Sequence, residues 1–162
     1  MLSELTEVLG SEAQVLDDLI SAAVDKQVAL LASRAADVPD IAEREEELIS
    51  RMREMEARRF ELASGLAALM EVPDGSLTLS SVIGSAAGEH ARRLSELRAL
   101  LIARTRRLEE VNRTNALLLA QSLDIAAAWL EAASGRKANA TYGPNGRVGL
   151  PHVGVSSVSA RL

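Results

Sequence analysis

The sequence predicts an all-α protein: an elongated antiparallel bundle of three long helices plus one short, followed by a flexible C-terminal tail. Three observations predict it. The chain is 48% apolar but only 2% aromatic, so Leu, Ala, Val and Ile must fill the interior, a composition that favours helix over strand. Apolar residues recur at 3-4 spacing through most of the chain. Proline and glycine cluster at a few breaks and in the last 28 residues, which hold five of the ten glycines and two of the four prolines. The expected domains are a helical bundle over 1–134 and a basic, Gly/Val-rich tail over 135–162.

Helix one is expected from Leu2 to Ala35, its stripe formed by Leu2, Leu5, Leu9, Leu16, Leu19, Ala23 and Leu30. Glu12 and Lys26 interrupt that stripe, so part of this face is expected to stay wet. Asp37-Val38-Pro39-Asp40 breaks the pattern, either as a stop and restart or as a kink. Proline suits a first helical turn, and Asp37 is placed to cap the free amides there. Helix two runs from about Pro39 to Leu69 on Ile41, Leu48, Met52, Met55, Leu62, Leu66 and Leu69. Glu47→Arg51 and Glu54→Arg58 have the favourable i,i+4 orientation on its outer face. Val72-Pro73-Asp74-Gly75 reads as a turn, after which Ser76 or Thr78 caps a short helix ending near Gly84.

The fourth helix spans Ala86–Ser134, without proline and with its one glycine, Gly88, in the first turn. Leu94, Leu97, Leu101, Leu108, Val111, Leu118, Ile125 and Trp129 lie on one seam of period close to 3.5, with Arg104, Asn115 and Ser122 at the polar positions of that seam. At 1.5 Å per residue the helix is about 74 Å long against about 50 Å or less for the other two. Beside them, part of it is left without cover. The polar seam residues either fix register, as a buried Asn does in a coiled coil, or mark where the seam opens to a partner. Leu117, Leu118, Leu119, Leu123, Ile125, Trp129 and Leu130 cover more than one face. Helix one, a second copy of the chain or an amphipathic helix of a client protein would each supply the missing cover. Gly135 stands where a helix C′ glycine is expected. In the tail, Val148, Leu150, Val153, Val155 and Val158 suit docking in a groove or addition as a strand.

Charge and motif content narrow the function. The tail carries +4 and no acid, so the body carries −9 against a total of −5. An acidic body repels DNA and anionic lipid, so neither nucleic acid nor membrane insertion is expected. Arg92, Arg93, Arg98, Arg104, Arg106, Arg107 and Arg113 interleave with acids and read as a solvated, ion-paired face. There is no cysteine, hence no disulfide framework or thiolate metal site. The N-terminus does not read as a secretory signal, and no run of apolar residues reaches the length of a membrane span. A cytoplasmic protein is expected. Glu89-His90 is the one acid–base pairing, and an exposed His beside a Glu at a helix start reads as surface. No nucleotide-binding glycine loop, HExxH or GxSxG occurs. No catalysis, cofactor or metal is expected.

Three motifs in order carry a resemblance. Asn115-Ala116-Leu117-Leu118, Ser122-Leu123-Asp124-Ile125 and the tail's Thr141-Tyr142-Gly143 with Gly146 resemble the FlgN family of flagellar export chaperones. Lys26 with Leu30-Leu31, and Leu48 with Met55-Glu56 and Arg59, extend the similarity upstream. The resemblance implies a cytosolic helical chaperone. It would bind the C-terminal helices of the hook–filament junction proteins FlgK and FlgL, prevent premature assembly and deliver them to the type III export gate. Tyr142 would then contact the gate protein FlhA. The residues expected to hold the client are Leu118, Leu119, Ile125 and Trp129. The competing expectation is a self-associating coiled-coil scaffold or adaptor.

Overall fold

The structure, a computed structural model, describes residues 1–73 and 75–134. Helix α1 is Leu2–Leu31, a 3₁₀ turn follows at Ala35–Asp37, and α2 is Val38–Leu69. Helix α3 is the short Leu79–Ser85, and α4 runs Gly88–Ala133. The contacts divide the chain into two units, Met1–Ser122 and Leu123–Leu162.

In the first unit, α1 and α2 form an antiparallel hairpin, which decides between restart and kink. Its ion pairs show the register: Lys26 pairs with Glu45, Asp25 with Arg44 at 3.2 Å, and Glu12 with Arg59 at 2.8 Å. Partners climb α2 as they descend α1. The same pairs correct the expectation of a wet face on α1. Glu12 is buried, because the Arg59 guanidinium reaches over from α2 to satisfy its carboxylate and replaces the lost hydration.

Helix α4 runs parallel to α1. Leu94 and Leu97 join Leu5, Leu9, Leu66 and Val82 in one apolar cluster. Leu108 packs on a second, made of Val15, Leu19, Ala22 and Leu48. Arg104 meets Asp17 at 2.5 Å, and the Asn115 side-chain amide donates to the Ala23 carbonyl at 2.7 Å. The up-down-up order buries the stripe each helix presents.

The helix ends depart from the sequence reading. α1 stops at Leu31, four residues early, because Ser33 takes φ 56. The Arg34 and Ser33 amides then bond back to the Ala29 and Leu30 carbonyls, a Schellman closure. α2 ends in the same way, with Glu71 at φ 54 and Val72 N–H on the Ala67 carbonyl. Leu69, expected in the core, is exposed there. Asp37 does not cap α2 with its side chain. The 3₁₀ turn runs directly into the helix, and the carboxylate pairs with Arg34 at 3.1 Å. Thr78 is the cap of α3, in a reciprocal capping box with Ser81. Gly75 takes φ 78, as the expected turn requires. On α2, Arg58 turns to Glu61 rather than to Glu54. Gly135 and the whole tail lie outside the described residues.

Candidate protein-docking surface

The α4 seam decides where the surface lies. Its 3-4 spacing places Leu94, Leu97, Leu101, Arg104, Leu108, Val111, Asn115 and Leu118 in one row. Leu94, Leu97, Val111 and Asn115 are buried; Leu101, Arg104, Leu108 and Leu118 are half-buried. The row continues in sequence as Ser122, Ile125 and Trp129, but these three are exposed. Every residue from 119 to 134 is exposed.

Within the first unit, Leu117 and Leu119 are exposed and Leu118 is the last half-buried member of the seam. A groove of about 430 Å³ opens beside them. Its walls include Leu19, Lys26 and Leu30 of α1, Ile49 of α2, and Asn115 and Leu119 of α4. Leu119, expected as a client contact, lines this groove, and so does Ile49, one residue past the α2 stripe at Leu48, which was not among the expected residues. Asn115 is buried, and its Oδ1 has no hydrogen-bond partner among the described residues. Its Nδ2 is held by α1. Elsewhere in this unit, a second groove of about 450 Å³ is walled by Leu9, Glu12, Arg59, Leu66, Leu79 and Leu101 among others. It contains none of the expected client residues.

In the second unit, Leu123 is 62% exposed, Ile125 60%, Trp129 73% and Leu130 72%. Four large apolar side chains are thus exposed within eight residues. α4 also contains an 18-residue window of mean hydropathy 1.3, none of it buried. Alanines raise this average, which a count of uninterrupted apolar residues overlooks.

The other sequence candidates fall elsewhere. The Glu89 carboxylate bonds Arg92, and that hydrogen bond and charge, with smaller contributions from Arg93 and His90, hold its pKa below the usual carboxylate value. Arg92 also reaches Glu96 at 2.6 Å, and Arg107 reaches Glu110 at 3.4 Å. The basic stripe of α4 is thus interleaved with its own acids. Among the described residues no three His, Asp or Glu side chains gather as metal ligands. Tyr142, expected to meet the export gate, lies outside the described residues.

The family model described as FlgN protein matches residues 1–149. The chain belongs to the FlgN family. No curated protein and no solved structure matches it. FlgN proteins are flagellar export chaperones, soluble proteins of the cytoplasm that bind flagellar export substrates.

Proposed function

We propose that this chain is a cytoplasmic chaperone for the junction proteins FlgK and FlgL. It holds their C-terminal helices on the exposed stretch of α4 and hands them to FlhA through Tyr142. The observation that carries the reading is the α4 seam, which keeps its 3-4 spacing through Ile125 and Trp129 where those residues face water. A helix-in-groove partner completes such a seam. Ile125 and Trp129, with Leu118 and Leu119 before them, are the client contacts. Lipid is a poorer occupant: residues 114–134 contain Asp124 and Glu131 but no Lys or Arg, and interfacial helices draw on cations.

The test is a titration of the full chain with C-terminal peptides of FlgK and FlgL, followed by hydrogen exchange. Trp129 is the only tryptophan, so its emission reports the site directly. New protection is expected over residues 115–134. Trp129→Ala is expected to weaken peptide binding at least tenfold, about 1.4 kcal/mol; unchanged affinity with an intact fold rejects this site. Tyr142→Ala is expected to leave client affinity unchanged and weaken binding to FlhA, measured by calorimetry. Loss of both together contradicts the division of labour. Mass rising with concentration in light scattering, without client, favours the self-associating scaffold instead.

A further inference from the structure

Successive residues of an α-helix are about 100° apart around its axis. On residues 123–133 this sorts the exposed apolar side chains into two arcs. Ile125 and Trp129 lie about 40° apart, Leu123 and Leu130 about 20° apart, and the centres of the two pairs are separated by about 130°. The whole apolar face spans about 160°, with Ala126 and Ala133 between the arcs. Asp124 and Glu131 fall together on the opposite side, which marks the solvated face.

A two-helix seam needs only the narrow row of a and d positions. Where α4 is covered, more than one helix covers it: Leu108 packs against Val15, Leu19 and Ala22 of α1 and Leu48 of α2, and Leu94 and Leu97 pack with α1, α2 and Val82 of α3. A face of about 160° is wider than the roughly 100° stripe of an ordinary core-facing helix. One straight partner helix lying on Ile125 and Trp129 leaves Leu123 and Leu130 in water.

We propose that this stretch is a two-helix receptor: the export substrate supplies a pair of helices, one seated on Ile125 and Trp129, the other on Leu123 and Leu130. This rests on the chaperone reading above and specifies its partner. A second copy of the chain fits less well. It offers one such helix, and a symmetric pair would cover one arc of each chain and leave the other arc bare.

The experiment compares full-length FlgK with a peptide of a single C-terminal helix, each titrated against wild type, Trp129→Ala and the double variant Leu123→Ser/Leu130→Ser. All the substituted side chains are exposed, and circular dichroism checks that each variant keeps its helix content. Full-length client is expected to lose at least tenfold in affinity with either variant. The single-helix peptide is expected to lose at least tenfold with Trp129→Ala and less than twofold with Leu123→Ser/Leu130→Ser. If full-length client responds to Trp129→Ala alone, or if the single helix responds to both variants, the two-helix receptor is overturned while the chaperone reading stands. If neither variant affects either ligand, both fall. A client-free dimer abolished by Leu123→Ser/Leu130→Ser overturns the inference in favour of a second copy.

Discussion

Leu94→Ala is expected to lower the stability of the bundle by about 2–5 kcal/mol, the range for emptying a fully packed leucine site. The effect is read from the urea midpoint followed by circular dichroism. Leu94 is 0% exposed and clusters with Leu5 and Leu9 of α1, Leu66 of α2, Val82 of α3 and its own neighbour Leu97. Truncating it opens a void in a cluster to which all four helices contribute. Neighbouring side chains on four separate backbones cannot all move in to fill it, which places the site towards the upper part of the range. The matched control is Leu130→Ala. That side chain is 72% exposed, and surface changes of this kind stay within about 0.5 kcal/mol. Equal losses at the two positions would show that burial does not follow the α4 seam as described.

The contrast between these two leucines also shows what was legible in the sequence. The 3-4 spacing of α4 gives both the same appearance of core residues, and periodicity alone cannot say how many neighbours are present to cover a helix. It put Leu118, Ile125 and Trp129 on the same seam, but only the structure separates the half-buried Leu118 from the open Trp129. The three long helices were readable because stripe spacing is local, and the α3 cap was narrowed to Ser76 or Thr78 because capping chemistry is local; the structure selects Thr78. The helix stops at Ser33 and Glu71 were not. A left-handed C′ residue is normally glycine, and neither position carries that signal. The burial of Glu12 was also hidden, since its partner Arg59 is 47 residues away and only the hairpin register brings the two together.

Asn115→Asp is expected to destabilise the first unit by about 3–5 kcal/mol at pH 7, the scale for a buried charge without a partner. The wild-type amide gives its N–H to the Ala23 carbonyl. A carboxylate is acceptor-only, so it would turn two acceptors towards each other in a place shut off from water. Lys26, the cation in the adjoining groove, is already engaged by Glu45. Burial then raises the pKa of the introduced group in the folded state above its unfolded value of about 3.9. Between those two values the folded state binds more protons than the unfolded one, so stability falls as pH rises. The penalty is full above the folded pKa and fades as pH drops towards about 4. Measured against wild type, the deficit should therefore shrink between pH 7 and pH 4. Asn115→Leu removes the unpartnered oxygen along with the amide, and the Ala23 carbonyl keeps its helical hydrogen bond inside α1; a loss within about 1 kcal/mol, the net scale of one hydrogen bond, is expected, independent of pH. A carboxylate variant as stable as the leucine variant at pH 7 would mean that water reaches this position and that Asn115 is not a sealed joint between α1 and α4.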